Sequence, residues 1–537
     1  MALISVIIIL SLVPPVSKDA LVHHLALPKL YLEHGGIYEI PFMPFSYFPM
    51  NLDLLYMIPL YFGNDVVPKF IHFGFALLTA WLIFHYLRCR TNIYYALFGA
   101  IFFLSIPIIV KLSITVYVDL GEIFFSFASL LLLLKWIKSG FRLRFLLFSG
   151  VLCGLALGTK YNGMVTFALL TLFVPFLFSR YGPDERSGFL KAVIYGVTFL
   201  LVALLVFSPW MIQNYHWKNN PIYPLHNKFF NPPQSSPKSV VSQDNIVKMN
   251  RGFFTFRSMV YHEKGWQIAL LPVRIFFQGK DGSSQYFDGK LNPFLLFLPM
   301  FAIFRLREGP EYLRNEKKII LAFAVLFFSV AFFSAVVRIR YISPIIPPLI
   351  ILSVFGIKNL IEIFRNSDSK AVRGVGIVFV FLVLVSSLVF NAHYILDQIR
   401  YVAPFKYVTG SISRDEYISS YRPEYPSMKY INDNLDFDAK IMFIFLGKRG
   451  YYCDRRYIFD INMLKILINE SKGTEDILKG LKKRGITHFL IYYHLFQRWV
   501  NDNLSGEKVL LTQRFFREHL ELLFSENGFG VSALKKY

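Results

Sequence analysis

Long, nearly uncharged apolar runs recur along the first three quarters of the chain and then stop. They fall near residues 2–16, 66–87, 93–110, 120–137, 145–159, 163–179, 190–212, 291–305, 319–337, 342–358 and 374–392. Most approach the roughly 20 residues that a helix needs to cross a bilayer core. The pattern predicts about 11 transmembrane helices. The first run is short, but it lacks a basic leading segment and a small-x-small cleavage site, so it reads as a first membrane helix and not as a signal peptide. Beyond residue 393 the pattern changes. Short strand-like runs at 440–446 and 486–493 alternate with charged helical stretches such as 475–484. That alternation predicts a small α/β domain. The expected organisation is an α-helical polytopic membrane domain over 1–392, with outer loops at 17–65 and 213–290, followed by a small C-terminal α/β soluble domain over 393–537.

The polar positions sort by side. Short loops hold Arg88 and Arg90; Lys135, Lys138, Arg142 and Arg144; Arg180, Arg186 and Lys191; Arg305, Arg307, Arg314, Lys317 and Lys318; and Lys358, Arg365, Lys370 and Arg373. With eleven spans these five clusters share one face, which the positive-inside rule makes cytoplasmic. The loops at 17–65 and 213–290 and the tail then lie outside an inner or plasma membrane. Composition agrees: 55% of residues are hydrophobic and only 17% charged, against about 25% charged in ordinary soluble proteins. The net charge of +22 follows from the loop lysines and arginines. No nucleic-acid recognition motif accompanies it, so nucleic acid is not an expected partner. Cys89, Cys153 and Cys453 are far apart and form neither a metal spacing nor a disulfide framework.

The remaining polar groups gather at or near the outer face: Asp19, His23, His24, Asp119, Glu122, Lys160, His216, Arg274, Asp281, Asp288, Arg338 and Arg340. Charges at the hydrocarbon boundary are expensive and tend to mark function, although any one of them also reads as a snorkelling anchor. In SKDALVHHLALPK (17–29), Asp19 and His23 share a helical face, while His24 points elsewhere. Pro28 should kink or end that turn, and Gly35-Gly36 should end the helix. This segment and residues 48–57 read as amphipathic helices lying on the outer face. His23 is either structural or a ligand. A divalent metal would need three or four converging groups, for which Asp19, His23 and His216 are the candidates.

Asp119 and Glu122 open a span, where the helix macrodipole stabilises carboxylates. Asp119 also has a chemical reading: it faces Asp19 across a cleft, and one of the two acts as general base. Lys160, at a membrane edge among small residues, either snorkels or binds an anion. Arg338 and Arg340 sit where topology does not call for cations, and their fork geometry suits phosphate. Arg274 adds one more cation.

At these residues the chain resembles the GT-C membrane glycosyltransferases, the superfamily that includes protein O-mannosyltransferases and the lipid A aminoarabinose transferase. The resemblance covers about residues 1–390 and rests on Lys18-Asp19-Ala20, Tyr117-Val-Asp119, Gly158-Thr-Lys160-Tyr161, the 219–224 segment NNPIYP, and Arg340-Tyr341. It implies a polyprenyl-phosphate sugar donor, a glycan, lipid or protein acceptor, and inverting transfer on the outer face. It implies that Asp19 is catalytic, with Asp119 as second acid, and that Lys160, Arg338 and Arg340 meet the donor phosphate, with Tyr161 beside them. Many relatives have two adjacent acids in the first loop; here Ala20 follows Asp19, and His23 is placed to take over part of that function. The competing class is a transporter or flippase of lipid-linked sugars. Transporters show internal repeats and midplane sites, and the sequence shows neither.

Overall fold

Each apolar run contains a helix in the computed structural model, which describes residues 2–183, 188–232, 253–305, 309–333 and 336–535. Arg186 and Arg307 of the basic clusters, and residues 233–252 of the second outer loop, lie outside the described residues. Six helices are long and apolar enough to cross a membrane: Val67–Arg88 (α4), Asp119–Lys138 (α7), Gly163–Tyr181 (α9), Gly188–Lys218 (α10), Ile339–Arg365 and Lys370–Val402. A bent pair, Ile93–Ser105 (α5) and Pro107–Ser113 (α6), makes up to seven. The count of eleven exceeds this because Ala2–Ser11 (α1), Leu143–Thr159 (α8) and Phe294–Phe304 are short, while Glu311–Phe332 opens with charged residues.

The α5–α6 bend of 65° has a local cause. Pro107 has no N–H to donate, and it forces Ile106 out of the helical region, to φ −56°, ψ 130°. The bend turns Lys111, on α6, toward the same cavity that the outer loops enclose.

The first outer loop forms a layer across the ends of the spans. Residues Ala20–His24 make a single π-helical turn, closed by Leu25 N–H donating to Ala20 O at 2.9 Å. Ala26–His34 (α2) follows, and Gly35 closes it in the left-handed region at φ 81°, as expected. Pro28 does not break this helix. It lies in the first turn of α2, where a missing N–H is tolerated, and the distortion sits one turn earlier in the π-turn. Asn51–Tyr61 (α3) then packs onto α8. Gly158 permits that approach, since a Cβ there would stand 2.2 Å from the Asn51 amide nitrogen.

The last long helix runs to Val402, ten residues past the expected end at 392, and carries Asp397 and Tyr401 to the cavity. Beyond it lies a five-stranded sheet of Lys440–Ile444 (β1), Arg456–Ile458 (β2), His488–Tyr492 (β3), Leu520–Glu526 (β4) and Phe529–Leu534 (β5), in the order β2-β1-β3-β5-β4. Strand β1 pairs in parallel with both β2 and β3, and β5 runs antiparallel to β3 and β4. Met442 and Ile444 of β1 enter one core, and Ile441 and Phe443 enter another. Burial on both faces explains why this strand is a continuous apolar run instead of an alternating one.

The sheet region docks onto the first outer loop. Lys29 Nζ donates to Tyr451 O and Cys453 O, both at 2.9 Å, and pairs with Asp454 Oδ1 at 2.6 Å. Tyr452 Oη donates to Pro15 O at 2.7 Å, and Arg414 Nη2 meets Asp65 Oδ2 at 2.5 Å. From sequence, Gly450–Asp454 reads as no more than a strand end and a turn; in the structure it is the docking segment. Lys29→Ala removes charge-assisted bonds worth about 2 kcal/mol in all. It is expected to lower the melting temperature and to speed protease cleavage of the sheet region. Unchanged melting and cleavage would contradict this docking role.

Candidate active site

A cavity of about 1320 Å³ opens between the span ends, the first outer loop and the sheet region. Its wall includes Asp19 and His23 of the π-turn, Lys111 of α6, Lys160 and Tyr161 between α8 and α9, Arg338, Arg340 and Tyr341 at the start of a span, and Arg422 and Lys448 from the sheet side.

The centre is a pair formed across 321 positions of sequence: Arg340 Nη1 lies 2.7 Å from Asp19 Oδ2. The Arg340 guanidinium also sits 5.1 Å from the Tyr117 ring centre and 5.4 Å from that of Tyr341. Lys160 approaches the Tyr341 ring at 4.9 Å, so this ring is bordered by two cations. Asn162 donates to Tyr341 O at 2.9 Å and to Glu122 Oε1 at 2.6 Å, tying this corner to α7.

Asp119 does not face Asp19 across the cleft. It is fully buried at the start of α7, where Lys160 Nζ meets its Oδ1 at 2.5 Å, and Lys160 reaches the wall in its place. The start of α7 is itself pinned, because Leu120 N–H donates to His72 Nε2 at 2.9 Å. On the opposite flank, Lys111 bridges Asp281 Oδ1 at 3.0 Å and Asp288 Oδ1 at 3.1 Å, and Arg338 Nη1 stands 3.8 Å from Asp288 Oδ2. Sequence reasoning passed over Lys111. Its signal was a lone lysine in the otherwise apolar PIIVKLS.

Burial by itself would raise the proton affinity of Asp19. Arg340 and the two neighbouring histidines outweigh it and hold the carboxyl well below the usual range. Burial, and then His24, hold His23 well below the usual histidine value. The His23 ring stacks on Phe45 with centres 4.1 Å apart. His24, set apart from Asp19 by sequence spacing, also lines the cavity. The π-turn explains this: its hydrogen bond closes five residues on instead of four, and the wider turn leaves positions 23 and 24 on either side of position 19. His24 Nδ1 lies 2.7 Å from Asp53 Oδ1. Burial holds His24 well below the usual histidine range and pushes Asp53 up to about 8, which favours the neutral form of both partners.

Three expectations change. His216 is exposed on the last turn of α10 and does not line the cavity. Among the described residues, no group of three or more His, Cys, Asp or Glu side chains is placed to hold a metal ion, so Asp19, His23 and His216 do not converge. Arg274 is absent from the cavity wall too; it pairs with Glu263 at 3.0 Å, which Arg257 also holds. Its charge serves the second outer loop. Tyr161 lines the cavity, but its hydroxyl is engaged, donating to Tyr223 O at 2.8 Å and accepting from Asn214 at 3.1 Å.

Membrane-length helices, amphipathic helices across their ends and an appended sheet domain make up a fold that resembles that of the GT-C membrane glycosyltransferases. The comparisons bear out this resemblance. Residues 62–213 match the family model described as dolichyl-phosphate-mannose-protein mannosyltransferase. The chain is similar to the crystal structure of ArnT from Cupriavidus metallidurans in the apo state, with a TM-score of 0.57 and 14% identity over 99% of this chain and 96% of that one. The same protein bound to undecaprenyl phosphate gives a TM-score of 0.55 and 15% identity, again over 99% and 96%. The Archaeoglobus fulgidus oligosaccharyltransferase in the apo form gives 0.51 and 12%, over 100% of this chain and 74% of that one. No curated protein sequence matches the chain. The family-model match includes Asp119, Lys160 and Tyr161 but stops short of Asp19 and Arg340.

The Asp53–His24 pair makes a pH prediction. A carboxyl raised from about 4 when unfolded to about 8 when folded contributes stability that is fully present below the unfolded value. That contribution is lost as pH rises through the folded one. Asp53→Asn keeps the neutral shape. Relative to wild type it should therefore melt at a similar temperature at acid pH and at a higher one above pH ~8. A melting difference that did not change with pH would contradict the assignment.

Proposed function

We propose that the cavity transfers a sugar from a polyprenyl-phosphate-linked donor to an acceptor hydroxyl, with inversion, on the outer face of the membrane. The observation that carries this reading is the Asp19–Arg340 pair, an acid and a fork-shaped cation 2.7 Å apart on the wall of a large cavity. Two comparisons support it: the matched family is described by a lipid-phosphate mannosyl donor, and the similar ArnT structure holds undecaprenyl phosphate.

In this reading Asp19 is the general base. The acceptor hydroxyl gives its proton to Asp19 as its oxygen bonds to the anomeric carbon. The bond from that carbon to the phosphate oxygen breaks, and its electron pair leaves with the polyprenyl phosphate. A single displacement inverts the centre. Arg340 and Arg338 neutralise the charge that develops on the leaving phosphate, with Lys160 alongside. Asp119 acts through Lys160, holding its ammonium at the wall. Arg340 has fork geometry and can serve two oxyanions. In the resting site it suppresses the basicity of Asp19. A donor phosphate that draws on the same guanidinium weakens that hold, so Asp19 becomes a competent base when donor is bound.

The topology of this reading has all eleven apolar helices crossing the membrane, the five basic clusters inside, and residues 393–537 as a separate outer domain. The site residues lie at helix ends: Asp119 at the start of α7, Lys160 at the end of α8 and Arg340 at the start of its span. A transporter would need them near mid-span.

Asp19→Asn should lower transfer from a polyprenyl-phosphate sugar by about 100-fold or more while the protein still folds and inserts. Arg340→Gln should raise KM for the donor as well as lower kcat. Full transfer by Asp19→Asn in a membrane assay would rule out the assignment of the base.

A further inference from the structure

Four cations on the cavity wall have a carboxylate: Arg340 has Asp19, Lys160 has Asp119, and Lys111 and Arg338 share Asp288. Among the described residues, Lys18, Lys69, Arg422 and Lys448 line the cavity without an acidic partner within ion-pair distance. Lys69 is buried and gives its ammonium to Val13 O at 2.7 Å, which leaves three to meet a ligand. Arg422 is the most telling. Its Nη2 donates to Val16 O and its Nη1 to Tyr421 O at 3.0 Å, while its Nε is enclosed with no partner. The nearby acid, Glu424, is held by Arg449. A partly buried cation that bonds only to carbonyls is short of negative charge.

The place of Lys448 in the fold points the same way. It belongs to the loop that leaves the carboxyl end of β1, and β1 lies between two strands parallel to it. In open sheets of this kind, ligands bind outside the carboxyl ends of parallel strands, where the connections part to either side. The loop is held tightly, with φ of 62° at Phe445, 64° at Gly447 and 61° at Lys448. Left-handed backbone at a phenylalanine and a lysine is costly and concentrates at binding sites.

We propose that Lys18, Arg422 and Lys448 form a second anion subsite that binds a phosphate or carboxylate carried on a sugar of the acceptor. This rests on reading the cavity as a sugar-transfer site. A donor phosphodiester brings a single negative charge, and Arg338, Arg340 and Lys160 at the span ends meet it. Lys18 and Lys448 are exposed to water as well as lining the cavity, so in this reading they and Arg422 meet a ligand that arrives from the aqueous side. The subsite would select anionic acceptors over neutral ones of the same shape.

The test uses the full chain in neutral phosphatidylcholine nanodiscs, with glucose 6-phosphate, glucose and undecaprenyl phosphate titrated separately. Glucose 6-phosphate should bind at least about ten-fold more tightly than glucose, the gain of a charge-assisted contact. The double variant Lys18→Gln/Lys448→Gln changes only exposed side chains, so it tests the subsite without threatening the fold. It should remove most of that preference and leave undecaprenyl phosphate affinity within about two-fold. Arg422→Gln should act in the same direction. Equal binding of the two sugars would overturn the subsite. Loss of undecaprenyl phosphate affinity in the double variant would overturn its assignment to the acceptor. Complete displacement of glucose 6-phosphate by phosphatidylglycerol in the disc would make it a headgroup site and overturn it as well. Arg340→Gln separates the two levels. Weakened undecaprenyl phosphate binding supports the donor reading beneath the proposal, and unchanged binding overturns that reading and the acceptor assignment with it.

Discussion

A charge held at the edge of a membrane has to be answered by another charge, and the arrangement around Arg340 follows from that constraint. Its guanidinium is almost buried at the start of a span, against two aromatic faces, and the carboxylate that answers it comes from the far end of the chain, at Asp19. For Asp19 to be there, the first outer loop must turn back over the span ends. The π-turn, the docking of α3 on α8 through Gly158, and the anchoring of α2 by the sheet region through Lys29 all maintain that position. The catalytic proposal is an extension of the same electrostatics. A cation strong enough to suppress Asp19 is strong enough to receive a phosphate, and it cannot fully do both.

The cavity is therefore a joint product of parts with different physical origins. The spans supply cations at their ends, where backbone geometry already favours a break. Pro107 bends α5–α6 and brings Lys111 in. The start of α7 buries Asp119 and so makes Lys160 a fixed group instead of a snorkelling one. The sheet region contributes Arg422 and Lys448, whose lack of acidic partners is the clearest asymmetry in the wall.

Several of these features were legible in the sequence, and the reason is the cost of charge near hydrocarbon. Asp19, Lys160, Arg338 and Arg340 stand out against apolar runs, and sidedness groups them before any coordinate is known. Pairing was not legible. Nothing local says that Asp119 turns toward Lys160 and away from Asp19, because the two partners lie 41 positions apart and their contact depends on how α7 and α8 pack. His24 was misjudged because regular helical spacing does not anticipate a π-turn. Arg274 and His216 carry the same outer-face signature as the true wall residues, yet the first is absorbed by Glu263 and the second by solvent. The sheet domain was recognisable from its strand-like runs, but its contribution to the cavity was not, since Gly450–Asp454 and Lys448 look like ordinary turn residues. The helix count differs for a similar reason: composition marks eleven apolar runs, whereas six or seven helices have membrane length by themselves.

The central claim is that Arg340 is shared between Asp19 and the donor's phosphate. An experimental structure of the full chain with undecaprenyl phosphate bound tests it most directly. The account predicts phosphate oxygens within about 3 Å of the Arg340 guanidinium, with the Arg340–Asp19 contact lengthened beyond the 2.7 Å of the free site. A phosphate bound elsewhere in the cavity, with that contact intact, would contradict it.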